Sequence, residues 1–238
     1  MSHLQGRGHC QSCGIRHLSI FADLGTAQLG SISAFHPSVM RYESGEVIYH
    51  QQTPSNNAFT LRQGLVKLLK VLPNGRSHIV RVLRRGDLFG FDGFAGENYN
   101  HTAVPMTGVE VCRLPLAELL DLKKQLPEIE QSMMIRWIVH LREAEDMMVE
   151  LGAKKAGERL ASFLIRWSSN VDDQQDAGWV EMPLSRAEIG ELLGLTVETV
   201  SRFMSEWKRQ GFLQEQRGSI RMQQVDELRR LVCASGSC

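Results

Sequence analysis

The chain carries no surplus of charge of either sign: 27 Lys and Arg offset 27 Asp and Glu over 238 residues, and the pI is near 7.1. That balance alone neither implies nor excludes a nucleic-acid partner. No apolar run approaches the roughly 20 residues that cross a bilayer, and no secretory signal is visible, so the expected compartment is the cytoplasm and no membrane partner is expected. Neither an internal repeat nor a low-complexity linker interrupts the chain. There is no serine elbow, P-loop or supported pair of carboxylates, which leaves an enzyme without footing. His50, His78, His101 and His140 stand isolated, a pattern of solvated or packed side chains, so haem is not expected. Cysteine is sparse, five in all, while 42% of residues are hydrophobic, enough at this length for a real core.

What is present is sharpest in residues 184–211, LSRAEIGELLGLTVETVSRFMSEWKRQG. Ser185 is a good N-cap and Glu188 completes a capping box, so a helix is expected from about Arg186. Gly194 ends it in a tight turn, Thr196 caps a second helix, and Ile189, Leu193, Val200 and Phe203 supply apolar contacts between the two. Glu198, Ser201 and Arg202 then project together from the second helix near its start. Arg can bond guanine O6 and N7, Glu can accept from cytosine N4, and Ser can reach a base edge or phosphate. The expected partner is double-stranded DNA, with Thr196, Thr199 and Lys208 as further contacts. Over residues 199–222, Arg202, Lys208, Arg209, Arg217 and Arg221 outnumber Glu206 and Glu215, which suits phosphates.

The run E-I-G-E-L-L-G-L-T-V-E-T-V-S-R is similar to the helix-turn-helix of the CRP/FNR family of bacterial transcription regulators, and its E-x-x-S-R face resembles the FNR branch. The resemblance extends over almost the whole chain. It implies that Glu198, Ser201 and Arg202 read TTGAT-like half-sites in an inverted repeat, that the protein is a homodimer, and that RNA polymerase is a further partner.

From about Ser31 to Pro115 the chain alternates short apolar runs with turn signals. GEVIYH, AFTLRQGLVKLLKVL, SHIVRVL and VEVCRLP read as strands, and Asn74-Gly75 as a hairpin turn. The economical fold is an antiparallel β-roll, so the chain is expected to be α+β: an arm with a cysteine pair (1–30), the roll (31–126), a dimerisation helix (127–151), a winged helix-turn-helix (152–232) and a flexible tail (233–238) holding Cys233 and Cys238. In the helix, Met134, Trp137, Leu141, Ala144, Met148 and Leu151 recur at alternating steps of three and four, flanked by Arg142, Glu143, Glu145 and Asp146. That pattern predicts a two-stranded coiled coil, with contact to the chain's own roll as the alternative. By the resemblance, an acidic residue can interrupt this seam, and Ala144 stands at that place here, which favours pairing without a signal.

A roll of this kind binds a cyclic nucleotide through a Glu on the ribose and an Arg-Ser pair on the phosphate. Asp92 lies in the region of the first, and Asn100, His101 and Thr102 in that of the second, so cAMP is not expected. Cys10 and Cys13 form a C-x2-C pair, and with Cys112 three thiolates converge if the arm folds over the roll. By resemblance to FNR, these three would ligate a 4Fe-4S cluster that reports oxygen. The third N-terminal cysteine is missing: Ser19 stands there, or Phe21 in the wider spacing. His17, Asp23 or Ser19 is then the candidate fourth ligand. Zinc on Cys10, Cys13, His17 and Cys112, a reversible disulfide, or a relic arm with buried thiols remain open.

Overall fold

A computed structural model describes residues 3–32, 35–169 and 178–233, and the chain divides into two compact units, Met1–Arg142 and Glu143–Cys238. The first unit holds strands β1 (His3–Arg7), β2 (Ser38–Tyr42), β3 (Asn57–Gln63), β4 (Val66–Val71), β5 (Ser77–Leu83), β6 (Leu88–Phe89), β7 (Thr102–Pro105) and β8 (Val109–Pro115). Helices α1 (Thr26–Ser31) and α2 (Leu116–Gln125) flank them. All pairings are antiparallel, in one sheet of order β1-β2-β8-β3-β6 and another of order β5-β4-β7. This is the expected roll.

Two local readings change. Residues 45–50, expected as a strand, form none and contribute one isolated bridge, Tyr49 to Ala103. The facing strand β7 ends at Pro105, which has no N–H to extend a ladder, and Gly45 turns the chain at a φ of +83°. The arm, by contrast, is built into the fold. Its β1 pairs with β2, and Ile20, Phe21, Leu24 and Leu29 join Leu88, Leu114, Leu119, Ile129 and Met133 in one apolar core.

A second core fills the roll. Phe59, Leu61, Val66, Leu83, Phe89, Val109 and Val111 meet Tyr49 and Tyr99, whose rings stack with centroids 3.8 Å apart. Period-two alternation sorts strand β8: Val109 and Val111 point into this core, while Glu110 and Cys112 are only partly buried and Cys112 packs against the core that holds the arm.

The long helix α3 runs Pro127–Ala153, two residues past its expected end; Pro127 at its first position and Glu128 and Glu130 in its first turn suit the N-terminal end. Ile129 and Met133 are buried. Met134, Trp137, Leu141 and Met148 are exposed, and so are Ile135, Ile138, Val139 and Val149, so the apolar face is wider than a two-position seam. Trp137 also lies edge-on to Phe91 and Phe94, at 6.1 and 6.4 Å, so the contact with the chain's own roll expected as the alternative is made.

The second unit holds α4 (Ala156–Ser169), β9 (Trp179–Glu181), α5 (Arg186–Leu193), α6 (Val197–Arg209), β10 (Leu213–Gln216), β11 (Ser219–Met222) and α7 (Val225–Cys233). Leu160, Leu164, Ile189, Leu193, Val200, Leu213 and Leu228 form its buried interior. Strands β10, β11 and β9 make a three-stranded wing. Cys233 belongs to the last turn of α7 rather than to a tail; Cys238 lies outside the described residues.

Candidate nucleic-acid interface and thiol site

Helix α5 begins where its capping box predicts. The Ser185 hydroxyl accepts from the Glu188 N–H at 3.2 Å, and the Glu188 carboxylate accepts from the Ser185 N–H at 2.8 Å. Gly194 ends the helix in the left-handed region, φ 61°. A second glycine is needed here that the sequence reading passed over. A Cβ on Gly190 would lie 2.6 Å from the Leu195 carbonyl oxygen, so only glycine lets the interhelical turn close down on α5.

Thr196 caps α6 by accepting from the Thr199 N–H at 3.2 Å. Val200, Met204 and Trp207 bury one stripe of this helix, four and three residues apart. Phe203, expected between the two helices, instead lies half-buried against Gly157 at the start of α4 and stacks on Trp207 at 5.5 Å. Leu151 likewise lies beside the Gly194 turn of its own chain, and its carbonyl accepts from Arg159 at 3.2 Å.

Glu198 and Arg202 are exposed and Ser201 partly so, one turn apart near the start of α6. The Glu198 carboxyl is held below the usual range by its own N-terminal backbone N–H and by the Thr196 hydroxyl, so it is an ionised acceptor. The Arg202 guanidinium sits 5.5 Å from the Phe203 ring centroid, a contact that limits its wandering. Lys208 bonds Glu215 at 3.3 Å across to the wing. At the wing tip Arg217 and Gly218 both take positive φ, 43° and 79°, the two-residue hairpin turn that matches strand twist.

Residues 158–231 match the Crp-like helix-turn-helix domain, and residues 39–125 match the cyclic nucleotide-binding domain. A probable transcriptional activator of Rhizobium leguminosarum bv. viciae is 32% identical over 227 residues, covering 94% of this chain and 93% of that one. The chain belongs to the CRP/FNR family. Within it the relatives place this regulator in the FNR-like branch: the Nitrogen fixation regulation protein FixK of Bradyrhizobium diazoefficiens is 30% identical over 91% of each chain. The Fumarate and nitrate reduction regulatory protein of Escherichia coli K12 is 27% identical over 94% of this chain and 90% of that one. Among solved structures, FixK2 of Bradyrhizobium japonicum superposes with a TM-score of 0.75 at 30% identity, covering 82% of this chain and 96% of that one. This CRP/FNR protein is thus a DNA-binding transcription regulator and not an enzyme.

Its first unit gathers the thiols that the sequence singles out. Strand β8, paired with β2 through Val39 and with β3 through Thr60, holds Cys112. Cys10, Cys13 and Cys112 lie within electrostatic range of one another. Burial, then the neighbouring thiols, pushes Cys10 up to about 11 and Cys112 up to about 12, against a pull down by Arg62. The Arg62 guanidinium donates to Glu110 at 2.6 Å and reaches the Cys13 sulfur at 3.6 Å. Arg62 and Glu110 were not singled out in the sequence, because only strand register brings them to the thiols.

Two of the candidate fourth ligands, Ser19 and Asp23, have other partners. Ser19 donates to the Arg16 carbonyl at 2.8 Å and accepts from the Phe21 N–H at 3.2 Å, closing its own turn. Asp23 accepts from Ser132 at 2.8 Å and lines a cleft with Arg136 and His140, whereas Cys10 lines another with Arg7, His9, Leu29 and Phe35. His17 is exposed. Among the described residues no group of three or more His, Cys, Asp or Glu side chains is arranged to hold a metal ion. Cys10, Cys13 and Cys112 therefore lie near one another without being arranged as a metal-binding group, and among the described residues no fourth donor joins them.

Proposed function

We propose that two copies of this regulator pair through α3 and read an inverted repeat of TTGAT-like half-sites, with a redox signal entering at Cys10, Cys13 and Cys112. The observation that carries the DNA reading is the outward cluster of Glu198, Ser201 and Arg202 on a capped, internally packed helix. The exposed apolar face of α3 supports pairing, since eight large apolar side chains of one helix otherwise stand in water. Two recognition helices enter successive major grooves only when half-sites lie about one turn apart, roughly 34–36 Å, so weak pairing weakens operator binding. RNA polymerase is the further partner in this reading.

For the sensor, three partly buried thiols that repel one another as thiolates suit a cationic cluster that relieves the repulsion. A 4Fe-4S cluster, if held by Cys10, Cys13 and Cys112, would supply oxygen lability. The chain's own residues do the rest: Arg62 offsets thiolate charge, Glu110 fixes Arg62, and Cys112 presents its sulfur from a central strand. A second reading is favoured by the Arg62 contact with Cys13, which supports a metal-free thiol as well as a ligand. Iron, acid-labile sulfide and visible absorbance on protein isolated without oxygen separate the two. Near four iron and four sulfide per chain, lost in air, is expected of the cluster; iron-free protein whose operator binding tracks thiol oxidation selects the second reading. Binding that ignores both iron and thiol state overturns the redox assignment, and failure to prefer a TTGAT-like palindrome overturns the site assignment.

A further inference from the structure

The cations of the DNA-binding unit are mostly not presented open to DNA. Arg186 at the start of α5 and Lys208 near the end of α6 both bond the Glu215 carboxylate on β10, Arg186 through Oε1 and Lys208 through Oε2 at 3.3 Å. Glu206 holds Arg209 through two of its nitrogens, at 2.6 and 3.2 Å to one oxygen and 2.9 Å to the other. Arg202 alone of the α6 cations has no carboxylate partner among the described residues; it rests on Phe203. The side chain proposed to read bases is left uncommitted, whereas Arg186, Lys208 and Arg209 are held by carboxylates.

Glu215 is the node of this arrangement. One side chain, about a fifth exposed, ties the first helix, the recognition helix and the wing, the elements that approach a duplex in this motif. A phosphate must compete with Glu215 for Arg186 and Lys208, so each such contact exchanges one ion pair for another instead of adding a new one. Non-specific binding draws essentially all its free energy from phosphates, whereas operator binding also draws on base edges. Holding the cations in pairs therefore lowers affinity for random DNA in greater proportion than affinity for the operator.

We propose that Glu215 is a specificity-determining residue of this regulator: it acts as a built-in competitor of DNA phosphate for Arg186 and Lys208, and so suppresses non-specific binding. Arg186 becomes a backbone-contacting residue that the sequence reading did not include.

The test is the full-length protein and Glu215→Gln, titrated by fluorescence anisotropy against a duplex carrying an inverted repeat of TTGAT half-sites and a scrambled duplex of equal length across several salt concentrations. Glu215→Gln is expected to bind the scrambled duplex about tenfold more tightly, with a steeper salt dependence, and the palindrome by a smaller factor. The preference for the palindrome then falls. Arg186→Gln with Lys208→Gln, added to Glu215→Gln, should abolish the gain, as release of these two cations requires. Circular dichroism and melting temperature establish that each variant folds. Unchanged affinity of folded Glu215→Gln for scrambled DNA, or a gain that survives removal of both cations, overturns the proposal. The inference rests on the TTGAT reading only for its palindrome arm: wild-type protein without a preference for that duplex refutes the half-site assignment, while the scrambled arm still decides the role of Glu215.

Discussion

Ser132 on α3 donates a hydrogen bond of 2.8 Å to Asp23 in the N-terminal arm, and the neighbouring Arg136 donates to the Ser19 carbonyl at the same distance. Two residues weighed as iron ligands are thus the points at which the arm is fastened to the long helix. Ser132→Ala should lower stability by about 1.5–3 kcal/mol, the range for a hydrogen bond to a charged group, read from denaturant unfolding. Asp23→Asn should leave the iron content of anaerobically isolated protein unchanged. Loss of iron in Asp23→Asn would restore it as a ligand.

Arg202 and Lys208 should behave differently on DNA. Arg202→Ala is expected to cost about 1–3 kcal/mol on the matched palindrome and to relax preference at one base pair. Lys208→Gln should weaken all sequences alike, and only slightly, because its pair with Glu215 already discounts it. Binding curves on single-base operator variants check both, and equal losses of Arg202→Ala on matched and random DNA would remove its base-reading role.

Pairing through α3 predicts that Leu141→Asp, at a position 59% exposed, produces a folded monomer with weakened operator binding. Sedimentation velocity at micromolar concentration gives the mass. A Leu141→Asp protein that sediments as a dimer would place the partner surface elsewhere.

His140 introduces a dependence on acid. Burial, then Arg81 and Arg136, lowers it from 6.5 to about 4 in the folded chain, while Asp23 and Asp87 line the same cleft. The unfolded chain accordingly binds the extra proton between those values, so the contribution is intact above about pH 6.5 and is lost as pH falls toward 4. Urea midpoints measured from pH 7 to pH 4 should fall more steeply in the wild type than in His140→Gln; identical slopes would discount the histidine.

The interior of the roll predicts that cyclic nucleotides do not bind. Tyr49 and Tyr99 stack at 3.8 Å, and the Tyr99 hydroxyl donates to the Asn57 carbonyl at 2.8 Å, so the centre is packed with aromatic rings. Calorimetric titration with cAMP should give no saturable heat. Tyr99→Ala should cost about 3 kcal/mol of stability, the usual penalty for emptying an aromatic site in a core.

The DNA-binding unit was legible in the sequence because its signals are local. A cap such as Ser185, a turn glycine such as Gly194 and a face such as Glu198, Ser201 and Arg202 depend on neighbours three or four residues away, and helical geometry turns that spacing directly into position. Strands β3, β4, β5 and β8 were legible for the same reason, through alternation and turn residues. Tertiary structure decided what rests on contacts distant in sequence. It denied residues 45–50 a strand because the facing strand ends in proline, and it built the arm into the core instead of leaving it an appendage. It also brought Arg62 and Glu110 to the thiols, assigned Asp23 to Ser132, and tied Lys208 to Glu215. Such pairings join side chains up to 109 residues apart, and no periodicity within a segment encodes them: they follow from sheet register and helix docking, which exist only once the whole chain has packed.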